Sequence, residues 1–292
     1  MAARWFASGR QALAFLLATA LPRGARVLCP AAICASVPAA LAAAGAKPVF
    51  YAQDLALNPV WEGMPEGDAL LLVHPLGRLL QVPPLSGLTL IEDFTQTLLN
   101  RRPRLGLGLG FASLRKLLPV PDGGVAVGAL PPGPEPVDDP SPFVRMRMAN
   151  DPAAEDMLDA WSGPPEPIWR ETLSRLRSLD HAALRRARRQ RYRVIEQMTL
   201  NLHGVRRYWP ALPDGVAPLA VPVLCRNRHD LRRRLVAAGI RAEPYWPVLP
   251  ESRAAASAQL RLLVGTLLLI PCDPSIPLER LRGALDNIRV PH

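Results

Sequence analysis

A chain of 292 residues can bury one large core and a smaller second one. Its 49% hydrophobic content is ordinary for a globular protein. No apolar run reaches the roughly 18 residues of a membrane span; the longest, Ala12 to Leu21, stands between Arg10 and Arg23. The net charge of +10 does not by itself point to nucleic acid, because thirty-three of the thirty-five basic residues are arginine, the signature of a composition bias.

In chain order, Arg4 and a short apolar stretch interrupted by Ser8-Gly9-Arg10 do not make a secretory signal, which predicts a cytoplasmic protein. Ser8-Gly9 opens a helix over Gln11 to Leu21. A strand is predicted over Arg26 to Cys29, a helix over Ala35 to Ala44 closed by Gly45, and a strand over Pro48 to Ala52. Ala69 to His74, Leu88 to Asp93, Phe111 to Leu114 and Gly124 to Val127 are further strands. Short, nearly continuous apolar strands separated by helices or loops predict an α/β fold with a mostly parallel sheet covered on both faces. Leu130 to Pro142, rich in proline and acidic residues, reads as a linker. It divides the chain into a large domain, 1–142, and a helical connection with a small α/β domain, 143–292.

The second half opens with helices over Ala153 to Trp161 and about Ile168 to Leu200. Within the latter, the basic run Arg185 to Arg193 holds one tyrosine and no aromatic ladder for stacking bases, so it reads as a solvated helix face. A strand over Val221 to Cys225, a helix over Asp230 to Ala238, strands near Arg241 to Tyr245 and over Leu267 to Ile270, and a helix over Leu278 to Ile288 complete it. The four cysteines show no CxxC spacing and sit in apolar stretches, which predicts buried free thiols and no metal site.

The chemistry-bearing residues stand out against this background. Only two lysines occur, Lys47 and Lys116. A guanidinium stays protonated and forms no Schiff base, whereas a lysine amine can. Lys47 leads a strand as an exposed charge. Lys116 ends Ser113-Leu114-Arg115-Lys116 after a strand, where it would project into the crevice at the strand ends; a solvated surface lysine is the bland alternative. Asp93 ends Leu88-Thr89-Leu90-Ile91-Glu92-Asp93 at the same edge, with an exposed acidic loop as its alternative, and Gln96 follows three residues on. Ser8-Gly9-Arg10 makes either a plain helix cap or a phosphate site, since the free N–H groups and dipole of a helix start attract anions. Pro121-Asp122-Gly123-Gly124 makes a tight turn before the next strand. A phosphate site, a carboxylate for a ring nitrogen and an amine are the parts that pyridoxal-phosphate (PLP) chemistry needs.

The stretches SGRQAL, RVLCPAAICASVPAALAAAGAKPVF, LIEDFTQTLL and FASLRKLLPVPDGGVAV, with GIRAEPYWP and LLLIPCD near the C-terminus, resemble the DegT/StrS family of PLP-dependent sugar aminotransferases. The resemblance implies the fold-type I architecture and a homodimer. It makes Lys116 the Schiff-base lysine, Asp93 the partner of the pyridine nitrogen, Gln96 a neighbour of the ring oxygen, and Ser8, Gly9, Arg10 and Ser113 phosphate contacts. It implies transfer of an amino group from an amino-acid donor to a small carbonyl acceptor, such as a keto-sugar. Another PLP-dependent reaction on the same scaffold, or a shortened non-catalytic partner subunit, are the alternatives. The chain departs from the family in beginning almost at SGR and in compressing the loop between His74 and Asp93. The turn Ala31-Ala32-Ile33-Cys34 also lacks the aromatic residue that often stacks on the cofactor; His74 is a candidate substitute.

Overall fold

Seven short strands form the larger sheet of the chain, whose computed structural model describes residues 2–82, 86–101, 108–151 and 153–286. In chain order the elements are β1 (Ala2–Phe6), α1 (Gly9–Ala20), β2 (Arg26–Pro30), α2 (Ser36–Ala43), β3 (Lys47–Tyr51), β4 (Ala69–Val73), β5 (Thr89–Asp93), β6 (Leu109–Ser113) and β7 (Gly124–Gly128). Their spatial order is β1-β7-β6-β5-β4-β2-β3. Strands β2 to β6 run parallel. Strand β7 turns back beside β6, and β1 pairs antiparallel with β7, so β1 points the same way as β6. All five residues of β4 are buried, as expected of a parallel strand covered on both faces.

Helix α1 forms because Ser8 caps it, accepting from the Gln11 N–H, and because Ala12, Leu13, Leu16 and Leu17 recur at helical spacing. That stripe packs on Val27, Cys29, Leu71, Ile91 and Phe111 from one face of the sheet. The backbone leaves the helix at Leu21, just before Pro22, which cannot extend it.

The rest of the chain adds α3 (Pro142–Met148), α4 (Ala153–Asp159), α5 (Arg170–Ser178), α6 (His181–Leu200), β8 (Val205–Arg207), β9 (Ala220–Cys225), α7 (Arg228–Ala237), β10 (Glu243–Pro244), α8 (Ala258–Thr266), β11 (Leu267–Pro271) and α9 (Leu278–Asp286). A four-stranded antiparallel sheet, β10-β11-β9-β8, packs one face on α6, α7 and α9. Its other face meets α8 together with Ala31, Ala32, Leu57 and Leu76 from the loops of the larger sheet.

The predicted helix over 168–200 is two helices, because the Asp180 carboxylate accepts from the Ala183 N–H and starts α6 afresh. The end of the predicted last helix, 287–288, lies outside the described residues. Strands β1 and β8 and helices α3 and α8 were not predicted. Among the described residues, no helix is long and apolar enough to cross a membrane, and no group of three or more His, Cys, Asp or Glu could hold a metal ion. The four cysteines are free.

The arginine run is a solvated face only at Arg186 and Arg193; the others turn inward. Arg185 donates to the Leu99 carbonyl, Arg189 to those of Pro213 and Val216, and Arg191 to that of Ile276. Arg188 is 3% exposed and donates to the Leu117 carbonyl at 3.2 Å and the Pro218 carbonyl at 3.5 Å. A guanidinium has five donors on a planar fork, so one side chain can cap several loop carbonyls. Arg188→Met keeps the length and apolar stem but leaves both carbonyls without their donor. The expected loss is about 1.5–3 kcal/mol of stability, read as a lower urea midpoint; an unchanged midpoint would show that the guanidinium carries no structural weight.

Candidate active site

Three stretches of main chain converge where α1 begins. The turn from β1 into α1 lies against the end of β6, where a Cβ added to Gly9 would sit 2.7 Å from the Ser113 Cβ. It also lies against Gly124, whose added Cβ would collide with the Ser8 carbonyl. The Gly123 N–H donates to the Ala7 carbonyl, and the Leu114 N–H to the Gly123 carbonyl. Gly9 and Gly124 therefore permit a backbone approach that no other residue would. The N–H groups of Gly9 and Arg10 have no place in the helix ladder and face an anion-attracting helix end. The Ser113 side chain, 8% exposed, closes this cradle.

Strands β4, β5 and β6 end on the same edge. Asp93, the last residue of β5, is 7% exposed and accepts from the Thr95 N–H at 2.8 Å. The Thr95 hydroxyl in turn accepts from the Ser113 N–H at 3.0 Å, so one threonine ties the carboxylate to the cradle. Burial pushes the Asp93 carboxyl above its ordinary range, against the Thr95 hydrogen bonds and the charge of Lys116. Gln96 is 3% exposed, and its buried Oε1 has no hydrogen-bond partner among the described residues. A buried amide oxygen without a partner is costly unless something else fills the space.

Lys116 is half-buried at the end of a one-turn 3₁₀ segment, Leu114–Lys116, that follows β6. Its Nζ lies 5.8 Å from the ring centroid of Trp246. The Leu117 carbonyl behind it is the one held by Arg188. Lys47, by contrast, is exposed at the start of β3.

Two of the predicted contributions go elsewhere. The Arg10 guanidinium donates to Asp159 and to the Leu158 carbonyl in α4, which leaves its backbone N–H as its contribution to the cradle. His74 accepts from the Leu80 N–H through Nδ1, which puts its proton on Nε2, 3.2 Å from Glu92 Oε1. Its ring packs on Phe94, 5.5 Å between centroids. In the β4–β5 register Val73 opposes Asp93 and Leu72 opposes Glu92, so Glu92 and Asp93 point to opposite faces. The His74 ring is thus held on the Glu92 side.

No protein-family model matches the chain, and no curated protein matches it. Solved structures do. A DegT/DnrJ/EryC1/StrS aminotransferase from Brucella abortus superposes with a TM-score of 0.63 at 20% identity, over 99% of this chain and 85% of that one. The chain has the fold of these enzymes. The sugar aminotransferase CalS13 from Micromonospora echinospora superposes with a TM-score of 0.64 at 18% identity, over 98% and 86% of the two chains. An E. coli GDP-4-keto-6-deoxy-D-mannose-3-dehydratase with bound hydrated PLP superposes with a TM-score of 0.65 at 13% identity, over 99% and 88%.

Within this fold, Ser8, Gly9 and Ser113 meet at the cradle, and Asp93 lies within electrostatic reach of Lys116. Sequence reasoning passed over Thr95, Arg188 and Trp246. Thr95 stood in plain view between Asp93 and Gln96, whereas Arg188 and Trp246 reach the site from distant segments that no local pattern connects to it. Asp122, read only as a turn residue, is fully buried; it accepts from the Trp169 N–H and the Thr172 hydroxyl and so ties the turn to α5.

Proposed function

We propose that the chain is a PLP-dependent aminotransferase, carried by one observation: a half-buried lysine and a buried carboxylate, electrostatically linked, beside a glycine-built helix start. These residues fit the cofactor. The cradle of Ser8, Gly9, the Arg10 N–H and Ser113 suits a phosphate, and a Cβ at Gly9 would fill it. Gln96, with its unpartnered Oε1, suits a position beside the ring oxygen, once the amide is turned to present its NH₂. Asp93 suits the pyridine nitrogen, whose positive charge would repay the burial of the carboxylate.

Bound PLP supplies an aldehyde that condenses with amines and a ring that takes up electron density. Lys116 would hold it through Nζ, and the same amine would be placed to move a proton to and from substrate carbon. Asp93 would favour a positive charge on the ring nitrogen. Arg188 holds the turn that bears Lys116 through the Leu117 carbonyl. The donor on this reading is an amino acid and the acceptor a small carbonyl compound such as a keto-sugar, in keeping with the sugar aminotransferase among the neighbours. The neighbouring dehydratase favours a second reading, another PLP reaction on the same scaffold, which amino transfer from glutamate to the bound cofactor would exclude.

We divide the chain into a large domain, 1–142, and a connection with a small domain, 143–292, and take the working unit as a homodimer. The dimer is supported by a cradle whose own arginine is committed to Asp159, leaving room for a basic group from a second copy. Free cysteines suit a reducing compartment, and we place the protein in the cytoplasm.

Borohydride reduction of the PLP-treated protein should fix one adduct, on Lys116 and not on Lys47, and Lys116→Ala should lose it while still folding; an adduct on Lys47 would overturn the assignment. Sedimentation at micromolar concentration should give a dimer, and a monomer with PLP bound would refute that part. For Asp93 the sign of the pH effect follows from its raised pKa. The carboxylate pairs with a ring cation only when ionised, so PLP affinity should weaken as pH falls through that raised pKa. Asp93→Asn should lose this pH dependence, bind PLP more weakly by about 1.5–3 kcal/mol, and transfer amino groups far more slowly. Titrations of both proteins with PLP across pH check it.

A further inference from the structure

The turn after β2 is built of small residues, and a segment of the four-stranded sheet is strapped onto it. Ala31 and Ala32 are fully buried. The Ile33 N–H donates to the Pro247 carbonyl, Ala32 bridges Val248, and the Ser252 hydroxyl donates to the Ala31 carbonyl at 2.7 Å. The other end of the strap is fixed by the Tyr245 N–H, which donates to Leu267 in β11. Larger side chains at 31 and 32 would hold this strap away.

The strap carries Trp246 to Lys116. Its ring lies beneath Lys116 Nζ, 5.8 Å from the centroid, and is itself backed by Tyr245 at 5.2 Å between centroids. The rival aromatic groups are committed: His74 is hydrogen-bonded at both nitrogens and packed on Phe94, and Tyr245 is buried. Trp246 is only partly buried. An amine 5.8 Å from the ring centroid can bring a group bonded to its near side within packing distance of the indole.

We propose that Trp246 provides the aromatic wall for the ring of the cofactor that Lys116 holds, an inference that rests on the PLP reading above. The aromatic surface then comes from the segment that follows β10, and the alanines at 31 and 32 are what admit it. Cofactor binding and the seating of the strap on the larger sheet become one event.

The experiment is equilibrium dialysis of the full chain with PLP, comparing wild type, Trp246→Leu and Trp246→Phe, each with a thermal melt to establish folding. Leucine keeps apolar bulk without a π face, and phenylalanine keeps the face. Trp246→Leu should bind PLP about tenfold more weakly, equivalent to about 1.4 kcal/mol, and Trp246→Phe within about threefold of wild type. Tryptophan fluorescence gives an independent readout: PLP should quench wild type more than Trp246→Phe, because the nearest indole is gone. Equal affinities for wild type and Trp246→Leu, or equal quenching of wild type and Trp246→Phe, would overturn the assignment. Failure of wild type to bind PLP or form the Lys116 adduct would instead remove the functional reading beneath it.

Discussion

The close approach of backbone at the start of α1 is the constraint on which the site depends. Because β7 reverses direction, β1 can lie beside it in register, with Phe6 opposite Gly124. That pairing brings the exit of β1 against both the entry of β7 and the exit of β6. There is no room for a Cβ at position 9 or 124 where the three meet, and Gly123, at φ +121°, also needs a conformation that residues with a Cβ avoid. Once the backbones are in contact, Ser113 is at the helix start by construction. Lys116, three residues further along a single tight turn, is delivered to the same edge as Asp93. The chemistry-bearing residues are placed by main-chain packing rather than by attraction between them.

The arginine-rich composition acquires a structural meaning at the same place. A parallel α/β layer leaves its loops with carbonyls that no sheet ladder satisfies, and burying them unpaired costs free energy. Helix α6 lies across those loops and spends its guanidinium groups on them, with Arg188 taking the carbonyl just after Lys116. A lysine in that position would have a single ammonium to offer, without the planar fork that reaches Leu117 and Pro218 together. The same property that keeps arginine out of Schiff-base chemistry makes it a good buried brace. On the proposed reading, the two cations divide these tasks.

Most of the larger sheet was legible, because β2 to β6 are nearly continuous apolar runs between clear breakers. The seating of Asp93 and Lys116 on one edge followed from strand ends alone. What could not be read is what depends on pairing between distant segments. Strand β1 is five residues long and owes its existence to β7, as β8 owes its own to β9. Helix α3 was announced by Ser141 and Pro142, a cap and a helix-starting proline, but the proline-rich stretch before it masked the signal. The break at Leu179–Asp180 was concealed by a helical periodicity that runs through it, although Asp180 is a good cap. Arg10 shows the limit at the site itself: its place in the motif was clear from sequence, but the destination of its guanidinium was set by α4, some 150 residues away.

The adjacent carboxylates Glu92 and Asp93 show why one of a neighbouring pair is available to a ligand and the other is not. Both are buried, and strand geometry sends them to opposite faces of β5. Glu92 meets a neutral imidazole whose tautomer is fixed by the Leu80 N–H, so the Nε2 proton is turned toward the carboxylate and Phe94 closes the pair from water. Asp93 has the Thr95 hydrogen bonds and the more distant charge of Lys116, which do not offset the loss of its hydration. A buried carboxylate left short of compensation gains most from an added cation. The side of the strand that faces α1 is therefore the side on which a charged ring nitrogen would be welcome, and the residue holding Asp93 in its rotamer, Thr95, is also the one that fixes Ser113 at the start of α1. On the proposed reading, a single threonine thus sets the spacing between the two protein groups that would hold the ends of the cofactor.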